Sequence, residues 1–141
     1  MRRGLLLDTC VLAEFSKPAP DQRVVAFVQS HRSEPLFLSV ISVGEISKGL
    51  CLLSDSKRKE DLQEWLFSIE NTYKNHTLSI TAEIAKTWGV ITAEARQRGR
   101  VLPAADGLIA ATAIEHGLHV VTRNIKDFEC SAALLINPWD D

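Results

Sequence analysis

Cysteine is scarce in this sequence. Its 141 residues include three, Cys10, Cys51 and Cys130, widely spaced and odd in number. That excludes a disulfide framework and a paired-cysteine metal site, and it points to a reduced, cytoplasmic setting. Long apolar runs are missing, and none approaches the length of a membrane span. The opening MRRGLLLDTCVL sets two arginines before an apolar run, but Asp8 cuts that run and no cleavage site follows. No signal peptide is therefore expected. An excess of positive charge is also absent: 16 Lys and Arg stand against 18 Asp and Glu, a formal net charge of -2. Bulk electrostatic binding to nucleic acid is excluded, while local basic patches and a site recharged by one divalent metal are not. Repeats, low-complexity tracts and linker-like stretches are lacking, so the chain reads as one domain over 1–141.

What is present is an alternation of short apolar runs with helical patterns. Gly4 to Leu7 is a strand running straight into Asp8, followed by a short helix over Thr9 to Phe15 and a loop at Lys17 to Pro20. Asp21 caps a helix from Gln22 to Ser30. Leu36 to Ser39 is a second strand, and a helix follows from Ser42. Asp55 begins the most polar helix, where Leu62, Trp65, Leu66, Ile69 and Tyr73 form an apolar stripe suited to a core or a subunit interface. Thr77 to Ile80 is a third strand, and Thr81 caps a helix that runs through Ala95 and ends at Gly99. Trp88 and Ile91 are core residues of that helix. Pro103 fits the first turn of the next helix, which Gly117 stops. Leu118 to Thr122 is a buried strand, a polar loop follows it, and Leu134 to Ile136 is the last strand. Such alternation predicts an α/β sandwich of helices around a central, mainly parallel sheet.

In a parallel sheet, functional residues gather beyond the carboxyl ends of the strands. Asp8 falls there, and so do Asn124 and Asp127 in the polar loop after Thr122. Asp106 sits near the first turn of its helix, where a carboxylate also suits the helix dipole. Glu45 has a structural reading of its own, because Ser42-Val43-Gly44-Glu45 matches a capping box. Against it, Gly44 in a first turn weakens a helix by roughly 1 kcal/mol relative to alanine. His116 and His119 span Gly117, which breaks the helical spacing a metal pair needs.

LLLDTCVL, LSVISVGEISKGL, LPAADGLIAATAIEHGL and VVTRNIKDF, followed by NPW, resemble a PIN-domain ribonuclease. The resemblance is to the VapC or FitB-like toxins of bacterial type II toxin–antitoxin modules, and it covers almost the whole chain in order. It implies a PIN-like sandwich and an acidic pocket that binds Mg²⁺ or Mn²⁺ and hydrolyses single-stranded RNA. Asp8, Glu45 and Asp106 match the family's three main acidic positions, as catalytic residues and metal ligands. Asn124 stands at the fourth position, with Asp127 and the pocket hydroxyl Thr122 as secondary candidates. Cys10 replaces a common asparagine. The resemblance also implies a homodimer and an antitoxin partner, with DNA reached only through the antitoxin.

The chemistry suits these residue types. Hard divalent cations prefer oxygen ligands, and clustered carboxylates without a cation repel one another and raise their pKa values. Arg123, Lys126, Arg98 and Arg100 are expected to contact RNA phosphates, while the Lys57–Arg58–Lys59 run reads as a solvated helix end. A response-regulator receiver fits weakly, because Asp8-Thr9-Cys10 lacks the acidic pair and LFLS ends without an aspartate. A DxD phosphohydrolase fails on the same missing aspartate. The remaining alternative is a non-catalytic PIN module that acts by binding a partner or RNA.

Overall fold

The structure is a computed structural model that describes residues 4–140. Five short strands form one sheet: β1 (Leu5–Leu7), β2 (Leu36–Ser39), β3 (Thr77–Leu78), β4 (His119–Val121) and β5 (Leu135–Ile136). Their order is β3-β2-β1-β4-β5, and every neighbouring pair is parallel. Between the strands lie α1 (Thr9–Glu14), α2 (Gln22–Ser30), α3 (Val40–Cys51), α4 (Lys57–Thr72), α5 (Ala82–Gln97), α6 (Ala104–His116) and α7 (Ile125–Phe128). The sandwich expected from the alternation of elements is the one found.

Side chains on a strand alternate between faces, and here the alternation builds two cores. Leu6 and Val120 point to one side, joining Ile84, Ile91, Ile109 and Phe128 from α5, α6 and α7. Leu5, Leu7 and Val121 point to the other, joining Val11, Leu12 and Val24 from α1 and α2. Trp65 and Ile69 of α4, with Tyr73 just after it, pack on this second core, so the stripe that suited a core or an interface faces the core. Trp88 packs on the first. Alanines at 110, 111 and 113 are fully buried and keep α6 slim against the sheet.

Several boundaries differ from the sequence reading. Helix α3 begins at Val40, capped by Ser39, whose hydroxyl accepts the Ile41 N–H at 3.0 Å. Ser56, not Asp55, caps α4 by accepting from the Lys59 N–H at 3.2 Å. Pro103 is the residue before α6 rather than part of its first turn, and its carbonyl accepts from Gly107. The polar loop after β4 contains the one-turn helix α7. Gly117 ends α6 with φ +66, the left-handed conformation expected of it.

The strand order fixes where a site can form. From β1 the chain moves outward through β2 to β3, then returns to the opposite side of β1 for β4 and β5. The reversal lies between β1 and β4, and ligands of open parallel sheets bind in the crevice at such a switch point.

Candidate functional site

Asp8 follows β1 directly, and its backbone N–H donates to the Val121 carbonyl at 3.0 Å, tying the ends of β1 and β4 together. It precedes α1, but its side chain does not cap that helix. The carboxylate instead accepts from Thr122 Oγ1 at 2.8 Å and from Cys10 Sγ at 3.4 Å. At 3% exposure it has little water, and burial raises its pKa. The hydrogen bonds oppose the shift, and the Glu45 charge adds to it.

Thr122 and Cys10 thus support Asp8. Thr122 Oγ1 also accepts the Asn124 N–H at 3.0 Å, and Cys10 Sγ accepts the Arg123 N–H at 3.4 Å. The thiol at position 10 therefore supplies polar support on both sides, though sulfur is a weak hydrogen-bonding atom.

The capping box at Ser42 and Glu45 does not form. Ser42 is buried inside α3, already three residues past the Ser39 cap. The spacing of three instead places Ser42 and Glu45 on one helix face, where both meet Thr9. Thr9 Oγ1 donates to Glu45 Oε1 at 2.6 Å and lies 2.9 Å from Ser42 Oγ. Thr9 and Ser42 join Glu45 in the candidate site, and neither was among the site residues expected from the sequence. The Ser42-x-x-Glu45 spacing was the available signal, read as a cap.

Asp106 stands in the first turn of α6, half-buried. Its pKa is raised to about 6, chiefly by burial, and then by the charges of Asp8, Asp127 and Glu45 in that order. Carboxylates from β1, α3, α6 and α7 therefore share one electrostatic field. Asp127 belongs to it although the sequence left it as a secondary candidate. Asn124 precedes α7 without capping it through its side chain, and with Asp127 it lines a cleft of about 630 Å³. A larger groove of about 740 Å³ against α2 contains no carboxylate.

The donor set is all oxygen, which suits a hard divalent cation. Among the described residues no three His, Cys, Asp or Glu side chains form a group placed to hold a metal ion as they stand.

The expected cationic contacts separate. Arg123 and Lys126 line the cleft beside Asn124 and Asp127, and Arg123 lies over the Trp139 ring, 5.2 Å from its centre. Arg98 donates to the Cys130 carbonyl at 2.9 Å, and Arg100 pairs with Glu129 at 3.5 Å. Protein partners engage both, and neither lines the cleft. Lys57 pairs with Asp61 at 3.0 Å on the exposed side of α4. No helix among the described residues is long and apolar enough to cross a membrane.

Comparison with known proteins agrees with this geometry. Residues 5–129 match the family model described as PIN domain. The chain is 38% identical to toxin FitB from Neisseria gonorrhoeae, over 97% of this chain and 99% of that protein. It is 34% identical to a VapC ribonuclease from Sinorhizobium fredii, over 96% and 98% of the two chains. The crystal structure of FitAcB from Neisseria gonorrhoeae is similar with a TM-score of 0.90 at 38% identity, covering 97% of this chain and 99% of that one.

Proposed function

The chain belongs to the PIN-domain family, and from that premise we propose that it is a metal-dependent endoribonuclease toxin that cuts single-stranded RNA. The observation that carries the reading is the placement of Asp8, Glu45, Asp106 and Asp127 within one field at the switch point, where the charges of the other three add to the burial that raises the Asp106 pKa to about 6. Holding carboxylates together in a half-buried crevice costs stability, and a bound cation would offset that cost. Similarity to a named VapC ribonuclease and a named toxin supports the substrate class and the biological setting.

Asp8, Glu45, Asp106 and Asp127 would hold the cation, Mg²⁺ or Mn²⁺, with Asn124 offering a neutral amide oxygen beside them. Such a cation supplies an activated water and offsets the negative charge that builds on the phosphate. The remaining work falls to the chain. Thr122 and Cys10 fix Asp8, and Thr9 fixes Glu45 through one oxygen, which leaves the other for a cation or a water. Arg123 and Lys126 would position the RNA backbone by phosphate contacts. The cognate partner in this reading is an antitoxin that covers the acidic cleft. A homodimer and a cytoplasmic setting complete it, the latter consistent with free thiols at Cys10, Cys51 and Cys130.

Incubating the purified, partner-free chain with single-stranded RNA tests the proposal. Cleavage should stop in EDTA and return with Mg²⁺ or Mn²⁺. A folded preparation that binds RNA without cutting it under any divalent condition would favour the non-catalytic alternative.

A further inference from the structure

The 630 Å³ cleft borders the acidic cluster through Asp127, whose charge acts on Asp106, and Asn137 and Asp140 at the C-terminal turn line it as well. That 3₁₀ turn, Pro138–Asp140, is braced from several directions. Asn137 Oδ1 accepts the Trp139 N–H at 2.9 Å, and the Arg23 guanidinium donates to the Trp139 carbonyl. The indole is 5% exposed, and Arg123 covers its ring. Burying Trp139 explains part of this bracing. It does not explain why Asn137 and Asp140 line an open cleft next to Asn124 and Asp127.

The lining has a chemical pattern. Arg123 and Lys126 offer cationic donors, while Asp127, Glu129 and Asp140 offer only acceptors, Glu129 being paired with Arg100; Asn137 has its oxygen engaged by Trp139, which leaves its NH₂ as a donor. Phosphate alone would be poorly served by a wall carrying Asp140. A nucleotide is well served, because its phosphate meets the cations while its base edge presents donors and acceptors together. An exocyclic amino group matches the carboxylate, as Asp pairs with cytosine N4 in base readout. The volume is ample for one nucleotide, lying within the usual range for small-ligand sites.

We propose that this cleft is a base-reading subsite, in which the Asn137 amide and the Asp140 carboxylate select an amino-bearing base next to the scissile phosphate. The inference rests on the ribonuclease reading above and adds its sequence preference. Uracil, which has no exocyclic amino group, is the base the subsite disfavours.

Two near-isosteric exchanges test it. Asn137→Asp keeps the acceptor for the Trp139 N–H but replaces the free donor with an acceptor. Asp140→Asn does the reverse. Cleavage ends are mapped on a random-sequence single-stranded RNA pool for wild type and both variants, and Mn²⁺ affinity and melting temperature are measured alongside. Wild type should disfavour uridine at one position flanking the cut. Each variant should change the base preference there by roughly tenfold, the scale of one good base contact, with Mn²⁺ affinity and melting temperature unchanged. Wild-type cleavage with an unchanged flanking preference in both variants overturns the subsite and leaves the ribonuclease reading standing. Wild-type protein that neither binds nor cuts single-stranded RNA overturns both.

Discussion

At the scale of single residues, Thr9 has the sharpest role. Its hydroxyl holds Glu45 at 2.6 Å, and partners of metal-binding groups are worth about 10–100-fold in affinity or activity. Thr9→Val keeps the shape and removes the bond, so it should lower turnover by roughly that range while changing stability by only about 1 kcal/mol. Thr9→Ser should restore it. Wild-type turnover in Thr9→Val would remove Thr9 from the site. Glu45→Gln should likewise cut turnover strongly with little change in melting temperature, because no capping box depends on Glu45. Between the two residues of the last site position, the charge of Asp127 acts on Asp106. Asp127→Ala is therefore expected to impair cleavage more than Asn124→Ala, and the opposite ranking would return the position to Asn124.

Asp106 also makes stability depend on pH, with an unusual sign for a carboxylate. Its pKa rises from 3.8 to about 6 on folding, so between those values the folded state binds more protons than the unfolded chain. Stability then falls as pH rises through that window and levels off above it. Burial raises the Asp8 pKa as well, which adds to the slope. In EDTA at neutral pH, Asp106→Asn should melt higher than wild type and show a flatter pH profile. Mn²⁺ should then stabilise wild type more than the variant. Thermal melts across the acid range check this, and an Asn variant that melts lower in EDTA would contradict the account.

At the scale of elements, α5 sets the position of α6. A Cβ added at Gly107 would lie 2.9 Å from Trp88 Cδ1 and 3.0 Å from Nε1. Alanine gains roughly 1 kcal/mol in helix propensity, while overpacking a rigid ring costs about 1–3 kcal/mol. Gly107→Ala should therefore lose only modest stability but shift the first turn of α6 and Asp106 with it. Weaker Mn²⁺ binding is the expected signature, recovered in the double variant with Trp88→Leu. No recovery would show that the indole does not position the turn.

The elements themselves were largely legible in the sequence. The Asp21 and Thr81 caps, the Gly117 stop and the apolar strands all act locally, through hydrogen bonds and conformations that a few residues determine. The errors arose where two local solutions compete. Ser39 and Ser42 each offer a cap to α3, and Ser39 wins because Ser42 is drawn into a contact with Thr9, 33 residues away in the chain. Residues 125–128 are polar enough to read as a loop, and they form a helical turn with Phe128 anchored in the core.

At the scale of the whole molecule, the strand order β3-β2-β1-β4-β5 turns scattered positions into one site. Family motifs pointed to Asp8, Glu45 and Asp106 together, but periodicity could not. Their meeting depends on β1 and β4 becoming neighbours across more than a hundred residues of chain, as the Thr122–Asp8 hydrogen bond records. Arg98 and Arg100 precede the Asp106 motif in sequence, and the fold places them beside Cys130 and Glu129. The central claim is that the shared carboxylate field binds a divalent cation on which RNA cleavage depends. The most direct test is one Mn²⁺ titration of the metal-stripped, partner-free chain that records cation occupancy and RNA cleavage rate together, for wild type and Asp8→Asn. Cleavage should rise in step with occupancy in wild type, and Asp8→Asn should lose both. Cleavage at zero occupancy, or an Asp8→Asn variant that binds and cuts like wild type, would contradict it.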